Sequence, residues 1–345
     1  MKKKYPHDVV SSSGNIGSAA ENPMLSVEDL KVYFPVETGF LSRRREYVYA
    51  VDGVSFDLKK GETLGIVGES GCGKTTTGMA VLNLEQPTSG RVVFKGQDIT
   101  DFRKLSTETQ LQLRKEMQVI FQDPYSSLNP RTSLDKILEE PMKVHGLYPS
   151  PGERRDRVAY LLERVGLTPS QGKRYPHSFS GGQRQRIGIA RSLALNPSMI
   201  VGDEPVSALD VSIQAQIINL LIDLQSEFDL SYVLIAHDLA VVEHISDRIA
   251  VMYLGRIVET APYDRLFVNP LHPYTQALMS AIPVPDPKAR KNRIVLTGDV
   301  PSPRHPPSGC AFHPRCPERL AECSESAPGL LHKGQAHHVA CHLVR

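Results

Sequence analysis

The residues Gly68-Glu69-Ser70-Gly71-Cys72-Gly73-Lys74-Thr75 fit the pattern G-x-x-x-x-G-K-[ST]. Each residue type has a chemical reason to be there. The glycines let successive backbone N–H groups turn inward into a nest that binds an anion. A helix opening at Lys74 adds the partial positive charge of its N-terminus. Lys74 is expected to reach the β- and γ-phosphate oxygens of a nucleotide, and Thr75, with Thr76 behind it, to begin the helix and ligate Mg²⁺. Cys72 is a small filler of the loop, since no histidine is paired with it to activate a nucleophile.

A second group lies far downstream. Met199-Ile200-Val201-Gly202-Asp203-Glu204 is an apolar strand ending in two carboxylates. Asp203 is the natural partner of the Mg²⁺. Glu204 is then free to polarise an attacking water as general base.

These side chains need a frame, and the hydrophobic pattern supplies it. Leu64-Gly65-Ile66-Val67 is an apolar run before the loop, and a helical pattern runs from Lys74 to about Leu84. Alternating patterns predict strands over Leu25–Phe34 and Tyr47–Leu58. Met117–Phe121, Met199–Val201 and Tyr232–Ala236 read as buried strands, Val211–Phe228 as an amphipathic helix, and residues 133–195 as mainly helical. Strands alternating with helices imply a parallel sheet covered on both faces. Residues 1–23 are polar and read as a leader. The basic stretch 38–46 reads as a solvated loop or as an approach to anionic headgroups or nucleotide.

Composition narrows the function classes. The 345 residues carry 40 basic and 38 acidic side chains, a formal charge of +2, which argues against a dedicated nucleic-acid binder. With 40% apolar and 23% charged residues the chain has ample material for a core. No apolar run approaches the roughly 18–20 residues of a membrane span, and the Met1-Lys2-Lys3-Lys4 start has no apolar segment behind it. A cytoplasmic location is expected.

Between the two chemical groups lies Phe179-Ser180-Gly181-Gly182-Gln183. Here the chain resembles the ATP-binding cassette family, whose signature usually has Leu where Phe179 stands. Gln122 in Phe121-Gln122-Asp123-Pro124 is similar to that family's Q-loop, Ser207-Ala208-Leu209-Asp210 to its D-loop, and His237 in Ile235-Ala236-His237-Asp238 to its switch histidine. Gly202 departs from the pattern, where a bulkier apolar residue is usual. The match spans about residues 24–265. It implies an α/β P-loop NTPase with a RecA-like core, an antiparallel β subdomain and a helical signature subdomain at about 125–195. Residues 266–345 would be a C-terminal extension. It also implies Tyr33 as the aromatic stacking on adenine, with Phe34 and Tyr47 as alternatives. His237 would hold the γ-phosphate and water. Gln122 would link the Mg²⁺ to a membrane partner. Ser180, Gly181, Gly182 and Gln183, with Asp210, would meet ATP bound by a second subunit.

Three stretches sharpen the resemblance: Asp123-Pro124-Tyr125-Ser126-Ser127-Leu128-Asn129-Pro130, Tyr175-Pro176-His177-Ser178 and Asn269-Pro270-Leu271-His272-Pro273-Tyr274-Thr275. They look like the dipeptide and oligopeptide importer ATPases, most of all the F-type subunit of dipeptide permeases. That branch implies two transmembrane permease subunits, a second and usually different ATPase chain, and an extracytoplasmic peptide-binding protein. The expected place of work is the cytoplasmic face of the inner membrane. Nickel and oligosaccharide importers share the branch. A soluble cassette ATPase acting on nucleic acid or ribosomes is disfavoured. Only about 105 residues, without sustained heptads, separate the loop from the signature, and one cassette is present.

The last region is different in kind. Ten of the 26 prolines fall from Pro283 onward, and Cys310, Cys316, Cys323 and Cys341 crowd the last 36 residues. Such a segment has little core of its own and needs a staple. Four thiolates are suited to a [4Fe–4S] cluster or, alternatively, to Zn²⁺. His313, His337, His338 and His342 are candidate substitutes in a zinc site; reduced cysteines without metal are the third reading.

Overall fold

The computed structural model describes residues 22–36, 46–282 and 293–344. Most of the expected leader and of the basic loop 38–46 lies outside the described residues.

Two sheets carry the molecule. The smaller is antiparallel. It joins β1 (Leu25–Val36), β2 (Glu46–Leu58), β4 (Ser89–Phe94) and β5 (Gln97–Asp98) in the order β2-β1-β4-β5. The larger holds β3 (Thr63–Val67), β6 (Met117–Ile120), β7 (Met199–Asp203), β8 (Ser231–Ala236), β9 (Arg248–Tyr253), β10 (Arg256–Pro262), β11 (Leu331–His332) and β12 (His338–Val339). Among the described residues its order is β11-β12-β10-β9-β3-β8-β7-β6. From β9 to β6 the pairs are parallel; β10, β12 and β11 are added antiparallel. The expectation of a parallel sheet therefore holds for its centre and not for its edge. Every residue of β3, β7 and β8 is buried, as continuous apolar runs demand when both faces are covered.

The helices begin where the sequence offers caps. α1 (Lys74–Val81) follows the left-handed Gly73. α2 (Thr107–Glu116) is capped by Ser106. The region 133–195 resolves into α3 (Leu134–Val144), α4 (Pro151–Arg164) and α5 (Gly181–Leu193). Ser150 with Glu153, and Ser180 with Gln183, form reciprocal capping boxes. α6 (Val211–Phe228) starts on Asp210 and ends at the left-handed Asp229. α7 (Leu239–Glu243), α8 (Tyr263–Val268) and α9 (Pro273–Ser280) complete the set.

Three apolar cores follow. One joins the antiparallel sheet to β3, β7, β8 and α1 through Leu25, Leu30, Ile66 and Val201. The second packs α3, α4, α5 and α6 on the other face of β7 and β8 through Leu138, Leu161, Ile187 and Tyr232. The third lies under β9 and β10 and includes Tyr253, Tyr274 and Phe312. Residues 293–344 contribute short 3₁₀ turns and the two-residue strands β11 and β12, in keeping with a loop-rich appendage.

Candidate functional site

The loop between β3 and α1 is shaped by its glycines. Gly68 (φ 155°) and Gly73 (φ 102°) have no room for a side chain, because a Cβ would collide with the Met252 and Ala50 carbonyls respectively. The Cys72 carbonyl is fixed by the Gly255 N–H at 2.9 Å, so the β9–β10 turn braces the loop. Cys72 is buried with its thiol pushed up by burial, a filler as expected. Lys74, 5% exposed, donates to the carbonyls of Gly68 (2.8 Å) and Glu69 (3.0 Å).

The β-strand ends converge on this loop. Thr75 Oγ1 donates to Asp203 Oδ1 at 2.7 Å. Burial pushes the Asp203 carboxyl above its ordinary range, opposed by the Thr75 hydroxyl. A buried carboxylate so penalised, facing a hydroxyl, is a hard-oxygen pair of the kind a Mg²⁺ ion uses. Gln122 Nε2 donates to Glu204 Oε2 at 3.0 Å, and His237 Nδ1 lies 3.2 Å from the same oxygen. Glu204 has a positive φ of 44°, and its N–H is held by the Ile235 carbonyl at 2.9 Å. Such strain in a non-glycine residue persists only where the surroundings over-determine it. Gly202 leaves no gap: a Cβ there would lie 2.7 Å from Leu234 Cδ2, so Leu234 fills the space of the missing side chain.

A cleft of about 490 Å³ collects these groups. Its walls include Ser70, Gly71, Gly73, Lys74, Thr75, Thr76, Gln122, Glu204 and His237. Val48, Ala50 and Pro303 also line it. Ser180, Gly181, Gly182, Gln183 and Asp210 do not line it. Ser180 and Gly181 are exposed at the start of α5, and Asp210 caps α6 at Ile213 N–H (3.0 Å).

Tyr33, the aromatic expected at adenine, is engaged elsewhere. Tyr33 does not line the cleft. Its hydroxyl donates to Asp52 Oδ1 at 2.6 Å, and Asp52 is paired with Arg256. Tyr33 lies opposite Tyr49, with ring centroids 4.8 Å apart. The cleft residue Val48 is instead the cross-strand partner of Phe34, and directly opposed residues share a face. A register shift between Val32 and Tyr33 sets this parity. Phe34, though also outside the cleft's walls, thus shares a face with a cleft residue.

Sequence reasoning also missed four contacts. Arg184, 8% exposed, ties the signature helix to its surroundings. It donates to the Pro176 carbonyl (2.8 Å) and sits 3.8 Å from the centre of the Tyr125 ring. Arg315 grips Glu69 inside the phosphate loop, and Tyr274 Oη accepts from Glu69 N–H. These join residues up to 246 apart, and no local pattern signals them.

The four C-terminal cysteines come together as free thiols. Cys310 N–H donates to the Cys323 carbonyl at 2.8 Å. Burial raises the Cys310, Cys316 and Cys341 thiols, Cys316 to about 11, and neighbouring thiols of the set push each further. Among the described residues, no three His, Cys, Asp or Glu side chains are placed to hold a single metal ion. The histidines have other partners: His313 at the Cys310 carbonyl, His337 at Glu259, His342 at the Ser326 carbonyl, and His338 beside His332.

Comparison with known proteins agrees with this geometry. Residues 51–207 match the family model "ABC transporter", and residues 258–323 match "Oligopeptide/dipeptide transporter, C-terminal region". The chain is 54% identical to the oligopeptide transport ATP-binding protein AppF of Bacillus subtilis over 94% of this chain and 99% of that one. It is 49% identical to the dipeptide transport ATP-binding protein DppF of Escherichia coli, over 94% and 95%. A solved structure of the ATP-binding cassette MJ0796, dimeric and bound to ADP and Pi, superposes with a TM-score of 0.60 at 29% identity. That superposition covers 70% of this chain and 99% of the other.

Proposed function

The chain belongs to the ABC transporter ATPases, in the branch with the oligopeptide/dipeptide C-terminal region, and on that premise we propose how its residues drive peptide import. The chain is the ATP-binding subunit of a dipeptide or oligopeptide importer. The loop N–H groups and Lys74 hold the β- and γ-phosphates, and Phe34 stacks on the base. Thr75 and Asp203, with Gln122, would hold the Mg²⁺, which would neutralise phosphate charge. Glu204 takes the proton of the attacking water. Gln122 and His237, both at Glu204 Oε2, aim that carboxylate.

The observation that carries the reading is the convergence of Lys74, Thr75, Gln122, Glu204 and His237 on one cleft, while Ser180–Gln183 stay outside it. A signature remote from its own phosphate loop is complete only across two chains. The cassette (24–265), with its helical arm (125–195), therefore pairs with a second ATPase chain, here a non-identical one, and closure assembles each site. A cleft lined by Leu84, Phe102, Phe121 and His145, next to Gln122, supports docking of a membrane subunit there. No helix among the described residues is long and apolar enough to cross a membrane. At the inner membrane's cytoplasmic face the chain docks on two transmembrane permease subunits, and an extracytoplasmic peptide-binding protein completes the transporter.

Glu204→Gln is the test of the chemistry. It is expected to bind ATP, lose hydrolysis by about a thousandfold or more, and accumulate a closed dimer by light scattering. Wild-type turnover would remove Glu204 from its role. In reconstituted vesicles, uptake of a labelled dipeptide should be competed by other di- and oligopeptides; indifference to every peptide would remove the substrate class.

For residues 266–345 we infer that Cys310, Cys316, Cys323 and Cys341 hold a [4Fe–4S] cluster as a structural staple. Four free thiols, three half-buried and Cys323 buried, in one loop-rich segment support it, and the Cys310 N–H on the Cys323 carbonyl brings two of them close. The cluster would supply charge compensation and a crosslink among these thiolates. Anaerobically purified protein should absorb in the visible and contain about four irons; colourless, iron-free folded protein would refute it.

A further inference from the structure

Glu69 is an odd residue for its place. It is the one acidic side chain between Gly68 and Thr75, so the sequence puts a carboxylate inside the loop that must receive a triphosphate. An unpaired negative charge there opposes the phosphates by Coulomb repulsion, which is strong in a partly desolvated cleft. The fold answers with a residue from the far end of the chain. Arg315 Nη1 donates to Glu69 Oε2 at 2.7 Å and Nη2 to Oε1 at 3.1 Å, a two-pronged guanidinium–carboxylate clamp. The Arg315 side chain is 8% exposed and that of Glu69 27%, so solvent screens the pair only partly.

The rest of Glu69 is engaged as well. Its N–H donates to Tyr274 Oη at 2.9 Å, and its carbonyl accepts from Lys74. Tyr274 stands on α9, and Arg315 sits between Phe312 and Cys316 in the extension. Behind them the rings of Tyr253, Tyr274 and Phe312 lie 4.7–5.4 Å apart, centre to centre, in a buried edge-to-face cluster. Arg315 also reaches Tyr253 Oη at 3.5 Å. The clamp is therefore seated on a rigid wall, and the wall is built partly from the segment that carries the cysteines.

We propose that Arg315 is a positioning residue of the ATP site: it neutralises and anchors Glu69, so that the C-terminal extension sets the phosphate loop's affinity for ATP. The inference rests on the ATP-site reading above and adds a partner that the cassette motifs do not contain. It makes the extension a working part of the nucleotide site. Loss of order around Cys316 would release Arg315 and weaken ATP binding without touching a motif residue.

The test is a double-mutant cycle on the full chain, read by titration with a fluorescent ATP analogue and by ATPase KM and kcat. Arg315→Met is expected to weaken nucleotide affinity about tenfold, the scale of one lost charge-assisted hydrogen-bonded contact. KM should rise more than kcat falls. The same substitution in a Glu69→Gln background should weaken affinity less than twofold, because no unpaired carboxylate remains. Added salt should shrink the loss in the single variant by screening that charge. Equal losses in both backgrounds would make Arg315 a mere brace and overturn the proposal, as would an Arg315→Met protein of unchanged affinity. If Arg315→Met does not fold, the cycle is read from the double variant against Glu69→Gln alone, and weaker binding by the double variant overturns it. Lys74→Ala separates the two readings. If it leaves binding intact the ATP site itself is misassigned, whereas if it abolishes binding while the cycle fails, only the Arg315 proposal falls.

Discussion

β3 and the segment 293–344 lie within reach of the same phosphate loop, yet they are held by opposite means. β3 enters the centre of the large sheet with all five residues buried, paired in parallel to β8 and β9. Its position follows from apolar area and backbone ladders. The C-terminal segment has two strands of two residues each and is held at separated polar points. Arg315 grips Glu69, the Ala340 N–H reaches the Val258 carbonyl, and His337 meets the buried Glu259. Apolar packing enters mainly through Phe312. A sheet centre tolerates the loss of one contact because many ladder bonds and apolar contacts share the load; a segment held at a few polar points does not.

The largest test of that contrast is Glu259→Ala. The Glu259 carboxylate is fully buried and accepts from Leu271 N–H (2.7 Å) and His272 N–H (3.0 Å), with His337 Nε2 at 2.7 Å. One residue thus links β10, the start of α9 and the extension. Removing it leaves three partners unmatched, two of them (His272 and His337) buried, which should cost at least about 3 kcal/mol. The loss should appear first as proteolytic cleavage after residue 293, with the cassette still folded. Simultaneous, fully cooperative unfolding of both regions would break the contrast.

A smaller effect comes from His272, 1% exposed at the head of α9, where Nδ1 accepts the Tyr274 N–H at 3.0 Å. Burial lowers its pKa from 6.5 to about 4, against the pull of Glu259. A neutral, buried histidine favours the fold fully above the unfolded value. As pH falls from about 6.5 towards 4 the unfolded chain takes up the proton first, so stability is lost across that window, on the order of 3 kcal/mol in all. Urea midpoints measured between pH 7 and 4 should fall accordingly, and His272→Asn should flatten that part of the profile. An unchanged slope in the variant would assign the acid sensitivity elsewhere.

The same contrast explains what could be read from the sequence. β3, β7, β8 and α6 are short-range patterns, and Lys74, Thr75, Asp203 and Glu204 sit at their ends, so both fold and phosphate site were legible there. α6 matches its expected span of 211–228. β4, β9 and β10 were not foreseen: a strand such as Arg256–Pro262 shows no clean alternation, since its face is decided by partners at β9 and β12. Arg315 and Tyr274 find Glu69 across 246 and 205 residues, a distance at which spacing carries no information. The cysteines announced a cluster by number, but the thiols' mutual approach depends on turns at 313–315 and 321–324.

The smallest effect returns to the base end of the cleft, where local pattern and tertiary register disagree. By sequence, Tyr33 and Phe34 are adjacent aromatics with equal claim on adenine. The register shift after Val32 puts Tyr33 with Tyr49 and Asp52, and Phe34 opposite the cleft residue Val48. Stacking of a base on an aromatic ring is worth about 1–3 kcal/mol. Phe34→Ala should therefore weaken ATP binding by about tenfold, while Phe34→Tyr should keep it. Tyr33→Phe removes only the hydroxyl that holds Asp52 and should leave nucleotide affinity within about twofold, with a modest loss of stability of about 1 kcal/mol. The reverse ranking, Tyr33 dominating ATP affinity and Phe34 indifferent, would mean that β1 pairs with β2 one residue out of the register seen here, since a one-residue slip exchanges the two faces.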